Sequence, residues 1–385
     1  MRAVRRYGEY GGRYVAPPLV PSLEKLAAAF EAAWRSATFQ ADFRSLLATF
    51  AGRPTPLYEA RQLSRWNTGA RLYLKREDRT RVGGGTISAA LGQCLLAKKM
   101  GKTAVVGETG SGDNGVATAA AAEHLKLSCT IYMTEADMAA EPLSVRTIEQ
   151  YGARLVAVTS DQASLHAAKS AATQHWMAAL GDTAYLAGAP VGPYPYPHIV
   201  RSLQSVIGAE AHAQFREEAS GTLRAIVATL GGGAGAVGLF SAFLDQAGVL
   251  LIAAEPTRAP CLSQGTPGIL HGAKTLVLQG DDGQIVRLQG ATPGISYPGA
   301  GPEVASWKDS GSIEVMPIRR DDALAARDVL AAEEDILISE EPAYALAAAL
   351  QVGRAMGQSD SLIVCITSSG DAVTAQDVAA EDAPD

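Results

Sequence analysis

Short apolar runs alternate with longer alanine-rich segments along most of this chain, and this alternation limits the fold more than any other feature. "TAVVGETG" precedes the helix-like "GVATAAAAEHLKL", and "CTIYMTE" precedes "EPLSVRTIEQYGA". The same order recurs at "RAIVATLGGGAGAVGLFSAFL". Strands that are separated by single helices run parallel and are covered by helices on both faces. We therefore predict an α/β fold with two parallel-sheet units, since 385 residues suit two domains better than one.

The charge pattern and the apolar runs exclude several classes of function. The formal net charge is −7 and no long basic run occurs, so we do not expect nucleic acid as a partner. No apolar run reaches the roughly 20 residues of a membrane span, so we expect a soluble cytoplasmic protein. Four cysteines stand apart without paired spacing, which favours reduced core thiols over a disulfide or a metal site; they are Cys94, Cys129, Cys261 and Cys365.

Three loops that follow predicted strands and open predicted helices carry the functional signal. They are Val82–Thr86, Glu108–Asn114 and Gly231–Gly235. Ligands of parallel α/β sheets bind at the carboxyl ends of the strands, so we expect these loops to converge on one ligand site.

Each loop has a functional and a structural interpretation. The glycines of "LGGGAGAVG" allow backbone N–H groups to approach an anion, but they also suit an ordinary strand–helix turn. Glu108 in a desolvated cleft would be an acid/base group, whereas at the surface it would pair with a lysine. Asp113 and Asn114 are good candidates for the N-cap of a helix that begins near Gly115.

With the loops placed, the chain resembles the β-subunit of tryptophan synthase, a fold-type II enzyme that uses pyridoxal phosphate (PLP). The resemblance rests on motifs in one order along nearly the whole chain, among them "GEYGGRYV", "AGRPTPLY", "LYLKRED", "GETGSGDNGVATA", "GPYPYPHIVRSLQSVIG", "GGGAGAVG", "GTPGILHGAKT" and "ITSSGD". It implies an N-terminal domain over residues 1–205 with a mobile subdomain at about 100–188. It also implies that residues 53–85 pack with the other domain, which covers 206–385.

The same resemblance shows where this chain departs from the family. The lysine that attaches PLP falls on Thr86, and the histidine before it falls on Gly85. Two family asparagines become Ser88 and Ala89. A threonine hydroxyl cannot form an imine or take over the proton transfers of a lysine.

Two further loops have also changed relative to the family. The phosphate loop has Gly231, Gly232, Gly233, Ala234 and Gly235, without the serine and asparagine donors of the family. The loop that binds the substrate carboxylate in the family corresponds to Thr109, Gly110, Ser111, Gly112, Asp113 and Asn114. An ionised Asp113 about 4 Å from a substrate carboxylate, at an effective dielectric constant of about 20, would repel it by about 4 kcal/mol. Asp113 therefore occupies the anion position itself, or is protonated, or faces a neutral or cationic ligand.

Other family features are retained. Glu108 matches the catalytic glutamate, Glu341 matches a glutamate near the cofactor ring, and Thr367 stands where a serine hydroxyl would meet the pyridine nitrogen. The "YPGAGPE" turn resembles a loop that helps to hold a monovalent cation, whereas no cluster of metal ligands is evident. Inherited scaffold without a present role is the alternative for each retained residue.

These substitutions lead us to expect no covalent cofactor and no PLP, and therefore a PLP-independent enzyme without tryptophan synthase activity. Glu108, with Asp113 as a second carboxylate, would carry out elimination, isomerisation or cyclisation of a small unsaturated metabolite. Thr86 and the loop of residues 109–114 would contact that ligand, and the glycine loop with Glu341 and Thr367 would be a vestigial anion site. A non-catalytic partner subunit and an enzyme that binds PLP without a covalent bond are the alternatives. The resemblance also implies a homodimer and leaves an α-like subunit open.

Overall fold

The structure is a computed structural model that describes residues 6–159, 165–286, 288 and 294–370. It contains two sheets of parallel strands, covered by helices, and a third, antiparallel sheet. The α/β fold with two parallel-sheet units is therefore confirmed. The domain boundaries and the mobility of residues 100–188 stay predictions.

The larger sheet has six strands in the order β13-β10-β9-β14-β4-β3. Their bounds are β3 Leu57–Glu59, β4 Arg71–Arg76, β9 Thr222–Thr229, β10 Leu250–Pro256, β13 Glu314–Ile318 and β14 Asp360–Ile366. Only the edge strand β3 runs antiparallel to its neighbour. The interior strands are almost continuously buried, as expected for a sheet covered on both faces.

The smaller parallel sheet has the order β7-β6-β5-β8. Its strands are β5 Ala104–Glu108, β6 Ser128–Thr134, β7 Arg154–Val158 and β8 Thr183–Tyr185. All of its pairings are parallel, because a helical segment separates each strand from the next along the chain. Strand β5 ends at Glu108, which places that carboxylate at the carboxyl edge of the sheet.

The antiparallel sheet was not predicted. It joins β1 Arg6–Tyr7 and β2 Tyr10–Gly11 to β12 Ala273–Val277 and β11 Thr266–Leu270, in the order β1-β2-β12-β11. Strand β11 contains Pro267 and Gly268, which are uncommon in strands, so the sequence of this segment predicts a loop. His271 and Gly272 both have positive φ and turn the chain directly between β11 and β12, as in a two-residue hairpin loop.

The helices cover the two parallel sheets and connect their strands. They are α1 Val20–Arg35, α2 Ala37–Thr49, α3 Arg61–Asn67, α4 Ile87–Lys99, α5 Asp113–His124, α6 Glu135–Ala140, α7 Pro142–Gln150, α8 Leu165–Ala178, α9 Tyr196–Gln204, α10 Val206–Glu218, α11 Ala234–Phe240, α12 Pro302–Asp309, α13 Arg320–Glu334 and α14 Glu340–Arg354. Helices α4, α5 and α14 are apolar on nearly every side and lie in the core.

The four cysteines are buried and free. In the described ranges, no helix has both the length and the apolar character needed to cross a bilayer.

Candidate active site

A cavity of about 100 Å³, partly open to solvent, lies where the three glycine-rich loops meet. Most of the predicted site residues line it, namely Thr86, Glu108, Thr109, Gly110, Ser111, Asp113, Asn114, Gly232, Gly233, Gly235, Glu341 and Thr367. The carboxyl ends of the strands thus bring distant segments of sequence together at one place.

Two of the predicted residues do not line the cavity and support the loops instead. Gly112 has a φ of +95°, and a Cβ there would lie 2.1 Å from the Cβ of Ser144 in α7. At Gly231, a Cβ would lie 2.8 Å from the Cα of Ile295. Both glycines therefore allow close backbone packing behind the cavity.

Glu108 is 4% exposed and is held by two side chains. Lys169 Nζ lies 3.1 Å from its Oε1, and the Tyr185 hydroxyl donates to its Oε2 at 2.7 Å. Lys169 also donates to the Tyr185 hydroxyl oxygen at 2.7 Å. Burial and the charge of Glu108 raise the pKa of Tyr185 well above its usual value, so the phenol stays a donor. The ammonium compensates the carboxylate in a place that water hardly reaches.

Sequence reasoning missed Lys169 and Tyr185. A signal for Lys169 existed, because it is a single lysine in the otherwise uncharged segment "AAKSAAT" of α8. A buried lysine in such a segment requires a counter-ion, since an unpaired buried charge is costly. Nothing in the sequence identified Glu108 as that counter-ion. One interpretation of Glu108 was a surface carboxylate that pairs with a lysine. The lysine partner is present, but the surface position is wrong because the pair is buried.

Asp113 and Glu341 form a second pair of carboxyl groups in the cavity. Both are half-buried, and burial raises the pKa of Asp113 to about 6 despite hydrogen bonds from Ser111 and Ser368. Burial and then the charge of Asp113 raise the pKa of Glu341 to about 8. Within the described part of the chain, no lysine or arginine forms an ion pair with either carboxyl group. Between the two pKa values the pair carries a single negative charge.

The prediction that Asp113 or Asn114 caps helix α5 is wrong. The helix begins at Asp113 with Gly112 as its N-cap, and no side chain caps it. The positive φ of Gly112 starts the helix one residue earlier than a side-chain cap would. Asn114 instead donates from Nδ2 to the carbonyl oxygen of Glu108 at 2.7 Å, which joins the helix start to the end of β5.

Thr86 is the N-cap residue of α4 and lies against the start of α5. Its hydroxyl donates to the carbonyl oxygen of Asp113 at 3.4 Å, a long hydrogen bond. At the neighbouring Gly85, a Cβ would lie 3.1 Å from Oε2 of Glu77, which also lines the cavity. No lysine is among the described residues that line the cavity.

A buried ionic network fixes Glu77 behind this loop. Glu77 binds the guanidinium of Arg53, and Arg53 Nε donates to Ser88 Oγ at 2.8 Å. Lys75 is fully buried and donates to Glu210 at 2.7 Å and to the carbonyl oxygen of Thr55 at 2.7 Å. Its ammonium is engaged away from the cavity, so it cannot supply an amine there.

The opposite wall of the cavity combines bare backbone with polar atoms that lack partners. A Cβ at Gly232 would lie 2.7 Å from Ala189 Cβ, and one at Gly235 would lie 2.7 Å from Thr367 Cγ2. The Thr367 hydroxyl lies close enough to Glu341 to oppose the rise of its pKa, yet it forms no hydrogen bond of normal geometry among the described residues. Gln204 Oε1 also has no partner in that part of the chain. This wall could therefore receive a ligand that carries both an anion and further polar groups.

Comparison with known proteins identifies the family to which the chain belongs. Residues 48–369 match the family model described as pyridoxal-phosphate dependent enzyme. The tryptophan synthase beta chain of Xanthomonas campestris pv. campestris (strain B100) is 39% identical over 378 residues, which are 96% of this chain and 93% of that protein. The tryptophan synthase beta chain of Xylella fastidiosa (strain M12) is 40% identical over 374 residues, covering 95% and 92%. The chain therefore belongs to the family of pyridoxal-phosphate dependent enzymes.

These findings correct two predictions, that the function is PLP-independent and that PLP is not a cofactor. The match extends over the whole cavity region, whereas those predictions gave most weight to the missing amine at position 86. Thr86 removes a covalent bond to a cofactor, but the glycine wall, the Thr367 hydroxyl and Glu341 still line the cavity. These residues fit PLP held without a covalent bond at residue 86. The predicted cyclase chemistry and the alternative of a non-catalytic partner subunit have no support in the comparisons.

Proposed function

We propose that this chain is a PLP-dependent, lyase-type enzyme that holds its cofactor without a covalent bond at residue 86 and uses Glu108 as its acid–base group. The observation that supports the proposal best is the position of Glu108. Its carboxylate lines the same cavity as the glycine wall and is fixed by Lys169 and Tyr185. A catalytic group needs such preorganisation more than it needs solvent access.

The glycine wall would hold the phosphate of the cofactor. Gly232, Gly233 and Gly235 line the cavity without side chains of their own, and the backbone N–H groups of such loops bind anions. Thr367, whose hydroxyl has no partner of normal geometry among the described residues, would direct it to the ring nitrogen, with Glu341 beside it. When bound, PLP supplies an electron sink for carbanion chemistry.

Glu108 would accept and return a proton at its carboxylate oxygens. Lys169 and Tyr185 hold both oxygens, so the group enters the reaction in one orientation. We further propose that the chain is not an active tryptophan synthase, because position 86 has no amine for proton transfer. A single role of this kind contributes a factor of about 10²–10⁴ to a rate.

The oligomeric assembly and the cellular location of the protein are also proposals. Resemblance to the tryptophan synthase β-subunit supports a homodimer, an optional α-like partner and a cytoplasmic location. It also supports a monovalent cation at the "YPGAGPE" turn. The separate sheet of β5 to β8 supports movement of residues 100–188 over the cavity.

Cofactor titration tests the proposal. Purified protein should bind PLP reversibly, followed by absorbance and by equilibrium dialysis. Treatment with borohydride should leave the mass of the chain unchanged. Thr86→Lys should place an amine in the cavity, shift the absorbance of added PLP and give a cofactor-sized mass increase on residue 86 after borohydride.

If the wild-type chain does not retain PLP in dialysis, the proposed function is contradicted. A borohydride-stable adduct on a lysine of the wild-type chain would contradict the non-covalent mode of binding. For the role of Glu108, Glu108→Gln should abolish turnover while PLP binding persists, and undiminished turnover would exclude it as the acid–base group.

A further inference from the structure

We propose, building on the function proposed above for the same cavity, that Asp113 restricts the substrate to primary amines that lack an α-carboxylate. Asp113 is thus a specificity-determining residue rather than a member of the acid–base machinery. Three features of the cavity support this proposal. They are its charge balance, the hydrogen bonds within the loop of residues 108–114 and Gln204 Oε1, which accepts no hydrogen bond from the described residues.

The charge balance of the cavity is negative at the end formed by Asp113. Four carboxyl groups line the cavity, namely Glu77, Glu108, Asp113 and Glu341. Arg53 compensates Glu77, and Lys169 compensates Glu108. In the described ranges no cation forms an ion pair with Asp113, whereas burial together with its charge raises the pKa of both Glu341 and Glu141. A substrate carboxylate would add a second negative charge where the first has no counter-ion.

Three donors of the loop of residues 108–114 already bind acceptors within the loop. Ser111 Oγ donates to Asp113 Oδ2 at 3.4 Å, and the backbone N–H of Gly112 donates to Thr109 Oγ1 at 3.1 Å. Asn114 Nδ2 donates to the carbonyl oxygen of Glu108. The start of helix α5 favours one negative charge, and the side chain of Asp113 supplies it.

The remaining polar atoms of the cavity favour a ligand rich in donors. Gln204 is 1% exposed and lines the cavity, yet its Oε1 accepts no hydrogen bond within the described part of the chain. An ammonium group has three donors and a positive charge, so it suits Asp113 and can donate a remaining hydrogen to a neutral acceptor such as Gln204 Oε1.

Ethanolamine and L-serine are the matched probes, because both have an amine and a hydroxyl and only serine has a carboxylate. Their dissociation constants are measured by calorimetry at pH 7.5, above the pKa of about 6 of Asp113, with and without PLP. Ethanolamine should bind at least tenfold more tightly than L-serine. In Asp113→Asn this preference should fall to threefold or less, while unfolding curves verify that the variant folds.

Asp245→Asn is the matched control, because it removes the same charge at an exposed position outside the cavity lining. It should retain the wild-type preference. Equal or tighter binding of L-serine by the wild type overturns the inference, as does no detectable binding of ethanolamine at 10 mM or an unchanged preference in Asp113→Asn. Because the preference is also measured without PLP, it can fail or hold independently of cofactor binding.

Discussion

Glu108 and Glu341 line the same cavity but occupy opposite electrostatic environments. Glu108 is almost fully buried and has an ammonium 3.1 Å away and a phenol at 2.7 Å. Glu341 is half-buried, and burial together with the charge of Asp113 raises its pKa to about 8. Burial alone would favour the neutral form of both residues.

The difference shows that two glutamates of one cavity can have neighbours of opposite charge. Glu108 is the more buried glutamate and accepts hydrogen bonds from Lys169 and Tyr185. Glu341 is the more accessible of the two, and its raised pKa favours the protonated form near neutral pH. One end of the cavity therefore holds a carboxyl group paired with a cation, and the other holds two carboxyl groups that form no ion pair with the described residues.

Among the variants that test this difference, removal of the Lys169 ammonium should have the largest effect on the free energy of unfolding. Lys169→Met leaves Glu108 buried without its cation and should lower the free energy of unfolding by about 3–5 kcal/mol. Urea unfolding followed by circular dichroism measures the loss. The double variant Lys169→Met/Glu108→Gln should recover much of it, because neither charge remains. Equal losses in the single and double variants would mean that the ion pair is not the cause.

Removing the Tyr185 hydroxyl should have a smaller effect. Tyr185→Phe keeps the ring in place and deletes the hydrogen bond to the Glu108 carboxylate, which should cost about 1.5–3 kcal/mol of unfolding free energy. Tyr73→Phe is a matched control, since its hydroxyl contacts Ser220 on the far side of the larger sheet. A loss that persists undiminished in a Glu108→Gln background would contradict the assigned contact.

Glu341→Gln should change the pH dependence of stability. The carboxyl titrates near 4.5 in the unfolded chain and near 8 in the folded protein, so the folded state binds the proton more tightly. The resulting stabilisation is fully present below pH 4.5 and disappears as the pH rises to about 8. The variant should lose about 3–4 kcal/mol less than the wild type between pH 5 and pH 8, because the slope is about 1.4 kcal/mol for each pH unit. Parallel unfolding curves at the two pH values measure this, and identical pH slopes would refute the raised pKa.

Thr367→Val should have the smallest effect on stability. The hydroxyl has no hydrogen-bond partner of normal geometry among the described residues, so its loss should change the unfolding free energy by no more than about 0.5 kcal/mol. The affinity for PLP should nevertheless fall, because the hydroxyl would bind the ring nitrogen. A thermal melt and a PLP titration on the same sample separate the two effects. A large loss of stability would show that the hydroxyl has a structural partner.

The parallel sheets and the meeting of the three loops could be predicted from sequence, because strand periodicity and helix-opening glycines are local signals. The antiparallel sheet could not, since β1 and β2 have two residues each and their partners lie about 260 residues further along the chain. The ion pair of Lys169 with Glu108 depends on the way α8 packs beside β5, which no local pattern encodes. The prediction about the cofactor was wrong because it relied on the missing amine at position 86, whereas the other walls of the cavity are retained.

The strand order of the larger sheet has a consequence for synthesis of the chain. Strand β14 lies between β4 and β9, so those two strands have no hydrogen bonds to each other without it. Since β14 spans Asp360–Ile366, a nascent chain holds two unconnected halves of this sheet until these residues have left the ribosome. Such long-range pairing predicts slow folding, and a truncation before residue 360 should yield two exposed strand edges that are prone to aggregate.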